Sequence, residues 1–156
     1  MKRLSILFVS LFVVAGCGQQ SEEAAEQPAA QAEQGPSVQV ETVNNGYGRA
    51  VESGDRVTVH YTGWLYDENA ENNRGEQFDS SRNPGRDRFQ FTIDESRVIQ
   101  GWHDGVKGML IGETRVLTIP PELGYGAAGR APIPGGATLI FEIELFAAEG
   151  PGDVED

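Results

Sequence analysis

The chain has 156 residues, in which 24 acidic side chains outnumber 12 basic ones and give a formal net charge of −12. A chain this acidic lacks the basic surface that nucleic acids require, which excludes them as partners. Cys17 is the only cysteine, so an internal disulfide is excluded as well.

The N-terminal segment has the pattern of a secretory leader. Two basic residues precede an apolar run over residues 4–14, and small residues follow before Cys17. The run is too short to remain as a membrane-spanning helix, so we expect a signal peptide over residues 1–16. The sequence Val-Ala-Gly-Cys at residues 14–17 resembles the lipobox of bacterial lipoproteins. It implies cleavage before Cys17, lipidation of its sulfur and an extracytoplasmic protein anchored to the membrane; an ordinary signal peptide with an unrelated cysteine is the alternative.

Two further segments lack large apolar side chains. Residues 17–36 are rich in Gln, Glu and Ala, and Gly18 after the cysteine resembles lipoproteins of the outer membrane that face the periplasm in Gram-negative bacteria. Residues 149–156 are acidic and contain Pro151. Neither segment buries enough apolar surface to offset its ordering entropy, so we expect a disordered tether and a flexible tail. Residues 37–148 remain as one folded domain.

Alternating apolar and polar residues, the period of half-buried strands, occur in three segments. They are residues 56–61, which should end at Thr62-Gly63, residues 88–93 and residues 138–146. Residues 38–43 and 114–119 are weaker candidates of the same kind. Because one side of each strand is polar, we expect an antiparallel sheet that buries only one face.

A single helix is predicted, over residues 100–106, with Ile99, Trp102 and Val106 on one face. That face should cover the apolar side of the sheet in an α+β fold. Gly101 weakens the helix but lets the backbone approach a neighbour closely. Taken alone, Trp102 is typical of a core residue.

Seven short segments occur in the order and nearly the spacing of the FKBP-type peptidyl-prolyl cis-trans isomerases, and the chain resembles that family from residue 38 to residue 146. They are VHYTG at 59–63, QFDSS at 77–81, VIQGW at 98–102, GM and GE at 108–109 and 112–113, IP at 119–120, GYG at 124–126 and ATLIF at 137–141. The resemblance implies a five- to six-stranded antiparallel sheet wrapped around one short α-helix. It also implies catalysed rotation about X–Pro bonds, with no cofactor and no metal.

The resemblance further implies a pocket for the proline ring. Its floor would be Trp102, and the residues around that floor would be Tyr61, Phe78, Phe89, Val98, Ile99 and Phe141, with Ile133 as an apolar contact from a later loop. The Tyr125 hydroxyl and the backbone N–H of Ile99 would hold substrate carbonyls. Asp79 would lie where the amide carbonyl turns and would pair with Arg82, Arg86 or Arg88. The candidate catalytic residues are thus Tyr61, Asp79, Trp102, Tyr125 and Phe141.

Other kinds of site fail on the residues present. His60 lies on the strand face opposite Tyr61, so it cannot join Ser80 and Asp79 in a hydrolase triad. Two scattered histidines, with His103 expected to face solvent, do not make a zinc site. The acidic connection at 67–76 lacks the glycine and glutamate of a calcium-binding EF-hand loop and is better explained as a solvated hairpin.

These observations together predict a lipid-anchored prolyl isomerase that acts as a folding factor for exported proteins. Its partners would be proline-containing polypeptides and macrolides of the tacrolimus and rapamycin type, and we expect a monomer, since no apolar heptad indicates a dimer. A non-catalytic module that binds proline segments is the alternative, although the set Asp79, Trp102 and Tyr125 favours catalysis. The long connection 67–77 and the loop 130–136, with Arg130 where the family often has His, leave substrate preference open.

Overall fold

The computed structural model describes residues 35–153, which form six strands and one α-helix. The strands are β1 (Gln39–Asn44), β2 (Arg56–Tyr66), β3 (Arg74–Ser80), β4 (Phe89–Thr92), β5 (Thr114–Ile119) and β6 (Leu139–Glu149), and the helix is α1 (Gln100–Val106). The predicted signal peptide, Cys17 and nearly all of the tether lie outside the described residues. Among residues 35–153 no helix has the length and hydropathy to cross a membrane.

All six strands belong to one antiparallel sheet, in the order β1-β5-β6-β2-β3. The long strands β2 and β6 form its centre and pair from Arg56 opposite Glu149 to Leu65 opposite Leu139. The other edge of β2 is shared, because β4 pairs with its first half and β3 with its second half. The predicted α+β fold, an antiparallel sheet around one short helix, is confirmed.

Helix α1 lies against the buried face of the sheet, with Trp102 and Val106 in the core. Its two glycines face β5 at close range. A Cβ atom on Gly101 would lie 2.4 Å from Cγ2 of Ile119, and one on Gly105 would lie 2.4 Å from Cδ1 of Leu117. Because a Cβ at either position would collide with a β5 side chain, glycine allows α1 to pack closely on β5, and the helix is stabilised by packing rather than by intrinsic propensity.

Strand β2 continues to Tyr66, so the predicted end at Thr62-Gly63 is wrong. Gly63 lies within the strand. Glycine fits there because a Cβ would come within 2.7 Å of the Phe78 and Phe141 rings. Strand β3 was not predicted, since Phe78 is its only large apolar residue and no alternation is visible. At the other end, β6 includes Glu149, where the tail was expected to begin.

The expectation that His103 faces solvent is also wrong. This side chain is only 5% exposed. The loop between β4 and α1 folds over it: the backbone N–H of Asp94 donates to Nδ1 at 2.9 Å, and Nε2 lies 3.2 Å from the carbonyl oxygen of Ser96. His103 therefore ties the loop to the helix that follows it.

Candidate active site

A cavity of about 550 Å³ opens between the start of α1, strand β2 and the turn that follows β5. This volume lies within the range of small-ligand sites. The residues that line it are Tyr61, Phe78, Asp79, Phe89, Arg97, Val98, Ile99, Gln100, Trp102, Gly124, Tyr125, Arg130 and Phe141. The structure thus brings together every residue predicted for the proline pocket except Ile133.

Trp102 lines this cavity and is also a core residue, being 5% exposed. Three rings that line the cavity meet its indole edge to face: the centroids of Tyr61, Phe141 and Phe89 lie 5.0, 5.2 and 5.7 Å away. Edge-to-face contacts are favourable for aromatic pairs, so the rings hold the indole in a fixed orientation. The indole Nε1 is buried and has no hydrogen-bond partner among the described residues.

The polar side of the cavity is built on Asp79, which strand pairing places opposite Gly63. Its Oδ2 accepts a hydrogen bond from the Tyr61 hydroxyl at 2.7 Å, and its Oδ1 lies 3.0 Å from Nη1 of Arg86. Oδ1 also accepts the backbone N–H of Ser80 at 2.9 Å. Burial and the bond to Asp79 raise the pKa of Tyr61 to about 12. Tyr61 is therefore a neutral donor that, with Arg86, fixes the carboxylate.

The sequence offers three arginines as partners of Asp79, and in the structure Arg86 pairs with it. Arg82 instead pairs with Glu144. The guanidinium of Arg88 lies over the Phe146 ring, 3.9 Å from its centroid. Arg86 is therefore the arginine that pairs with Asp79.

Two other predicted groups lie at the cavity. Ile99 is the N-cap residue of α1, and no side chain caps that helix. That its backbone N–H holds a substrate carbonyl stays a prediction. Tyr125 follows the short 3-10 turn Pro121–Leu123 and is half-buried against the core.

Ile133 does not line the cavity, so the predicted contact is corrected. Its side chain is 6% exposed and belongs to the core. The backbones of Arg130 and Ile133 bond to each other in both directions, at 2.9 and 2.7 Å, which closes a tight turn. This turn directs Ile133 inward and leaves Arg130 at the cavity.

Four lining residues were not predicted: Arg97, Gln100, Gly124 and Arg130. Arg97 and Gln100 flank the pair Val98-Ile99, so their position in the sequence was a usable signal.

His60 lies on the opposite face of β2, as the alternation predicts. Its Nδ1 is 2.9 Å from Oγ of Ser81, and its ring meets Phe146 edge to face. Burial, with smaller effects from Arg82 and Arg88, lowers the pKa of His60. It is therefore remote from the cavity, and residues 35–153 contain no cluster of metal-ligating side chains.

Comparison with known proteins agrees with this geometry. A family described as FKBP-type peptidyl-prolyl cis-trans isomerase matches residues 48–146. The chain is 46% identical to FK506-binding protein 1 of Aspergillus oryzae over 111 residues, which are 70% of this chain and 96% of that protein. It is 47% identical to FK506-binding protein 2 of Emericella nidulans over 118 residues, 75% of this chain and 82% of that one. Among solved structures, FkpA from Escherichia coli is similar with a TM-score of 0.63 and 37% identity, over 72% of this chain and 48% of that chain.

Proposed function

The chain belongs to the FKBP-type peptidyl-prolyl cis-trans isomerase family, and we propose that it assists the folding of exported, proline-containing proteins at the bacterial cell envelope. It is a peptidyl-prolyl cis-trans isomerase, and proteins of this family bind macrolides such as FK506. The observation that carries the enzymatic part is the ring-lined cavity above Trp102. The leader pattern that ends at Cys17 supports the location.

Rotation about an X–Pro bond breaks no covalent bond, so the site needs no nucleophile. The barrier of roughly 18–20 kcal/mol comes from amide resonance, which keeps the bond planar and separates charge between oxygen and nitrogen. Twisting the bond returns the lone pair to nitrogen and reduces that separation. A cavity walled by aromatic rings therefore disfavours the planar form relative to the twisted one.

The side chains of the cavity divide this task. Trp102 supplies a flat surface for the proline ring, enclosed by Tyr61 and Phe141. The Tyr125 hydroxyl and the N–H of Ile99 hold the flanking carbonyls, which orients the chain on either side of the rotating bond. A difference of about 4 kcal/mol between the two forms gives an acceleration on the order of 10³.

The isomerase is tested with the full chain in neutral detergent and a proline peptide whose cis–trans exchange is followed by NMR. We expect faster exchange, which FK506 inhibits. Unchanged exchange together with FK506 binding would leave the non-catalytic binding module. Against that alternative, Asp79, Trp102 and Tyr125 are present in one cavity.

The envelope location is tested through Cys17, the single cysteine. In a bacterial host supplied with labelled palmitate, the protein should take up the label and sediment with membranes. Cys17→Ser should abolish the labelling and release the protein into the soluble fraction. Equal labelling of both proteins would contradict the proposed anchor.

A further inference from the structure

Most basic side chains among residues 35–153 form ion pairs. Those with a carboxylate partner are Arg49, Arg56, Arg74, Arg82, Arg86, Lys107 and Arg115. The three others, Arg88, Arg97 and Arg130, have no carboxylate of these residues within 4.0 Å. Acidic residues outnumber basic ones two to one (24 against 12), so an arginine without an acidic partner needs an explanation.

The position of Arg88 is explained by an aromatic partner, because its guanidinium lies over the Phe146 ring on the sheet face opposite the cavity. Arg97 and Arg130 are exposed, and both line the cavity. They reach it from different segments, Arg97 from the loop before α1 and Arg130 from the loop before β6. The guanidinium of Arg130 lies 5.9 Å from the centroid of the Tyr125 ring, which places its charge beside a predicted substrate contact.

The acidic groups of the cavity do not offset these charges. Asp79 is the only carboxylate among the lining residues, and it already pairs with Arg86. The formal charge of the lining residues is therefore positive, with two arginines against one aspartate, in a protein whose formal net charge is −12. The net charge of the protein repels an acidic peptide, whereas these two guanidinium groups attract it at the cavity.

We propose that Arg97 and Arg130 give the enzyme a preference for X–Pro bonds that have an acidic residue next to the proline. The inference rests on the isomerase activity proposed above. Ion pairs between exposed side chains are individually weak, so two of them favour a glutamate peptide over its glutamine counterpart about fivefold in kcat/KM. Since exposed charges are screened by salt, the preference falls toward one as the ionic strength rises.

Two matched pairs of peptides test the proposal with the full chain in neutral detergent. One pair has Glu or Gln directly before the proline, and the other has Glu or Gln directly after it. Cis–trans exchange is followed by NMR, without a coupling protease whose own specificity would intervene. The variants are Arg97→Gln and Arg130→Gln, singly and combined, and the control Arg56→Gln, on the exposed end of β2, matches the charge change of each single variant.

We expect a Glu preference in at least one pair that the double variant abolishes, that Arg56→Gln retains, and that weakens between about 0.02 and 0.5 M NaCl. Equal rates for Glu and Gln in both pairs would overturn the proposal while leaving the isomerase intact. A preference that persists in the double variant would also overturn it. No acceleration of any peptide would refute the isomerase activity and, with it, this inference.

Discussion

Burial of the Tyr61 hydroxyl, together with its hydrogen bond to Asp79, makes the domain less stable as the pH rises above about 10. The Tyr61 side chain is 8% exposed, its hydroxyl donates to Asp79 at 2.7 Å, and its pKa rises from 10.0 to about 12. In the unfolded chain the same hydroxyl ionises near pH 10. Because the folded pKa is the higher one, the contribution to stability is complete below pH 10 and is lost as the pH rises to 12. Two pKa units correspond to about 2.7 kcal/mol.

Tyr61→Phe removes the ionisable group and should remove this dependence. The variant begins about 1 kcal/mol less stable at pH 8, because Asp79 loses a donor. Its free energy of unfolding should then fall less steeply than that of the wild type above pH 10. Urea denaturation followed by tryptophan fluorescence between about pH 8 and pH 11.5 measures both slopes.

The control is Tyr66→Phe, whose ring is 43% exposed and which should keep the steep wild-type decline. If the wild type and Tyr61→Phe lost stability in parallel above pH 10, the buried, bonded state of the Tyr61 hydroxyl would be refuted.

Three other substitutions probe the packing of α1 on β5 and two residues that line the cavity. Gly101→Ala places a Cβ 2.4 Å from Ile119. The cost of overpacking should exceed the gain in helix propensity and lower the free energy of unfolding, measured in urea, by about 1–2 kcal/mol. The control Gly152→Ala, with no atom within 4 Å of the added Cβ, should show no such loss. Trp102→Leu removes part of a core ring and should cost about 2–3 kcal/mol of stability while FK506 affinity, measured by calorimetry, falls at least tenfold; unchanged affinity would exclude the indole as the floor. Tyr125→Phe should lower kcat/KM about three- to tenfold with an unchanged melting temperature, and full activity would show that its hydroxyl holds no substrate carbonyl.

The sequence predicts the elements whose side chains alternate and misses those whose side chains do not. The bounds of α1 and β5 are found as predicted, because periodic apolar residues mark both. Strand β3 carries one large apolar residue, Phe78, and is a strand because β2 offers it a free edge. That edge is a property of the assembled sheet and cannot be read from a segment seven residues long.

The site residues follow from the family resemblance more than from any periodic pattern in the sequence. The predictions that are wrong depend on how turns and loops fold in three dimensions. Ile133 was expected at the cavity, but a tight turn of the backbone directs its side chain into the core and leaves Arg130 at the cavity. The choice of Arg86 depends on the path of the chain between β3 and β4, along which three arginines compete. His103 is covered by a loop whose course the sequence does not show.

The shared edge of β2 has a consequence for how such an enzyme can diversify. Tyr61 lies between the part of β2 that pairs with β4 and the part that pairs with β3. The excursion of the chain that joins β3 to β4 carries Arg86, whose guanidinium pairs with Asp79. Insertions into this excursion, or into the hairpin before it, would remodel the entrance while the central strand pair stays as it is. The entrance of the cavity and the pairing of β2 with β6 therefore depend on separate stretches of the chain.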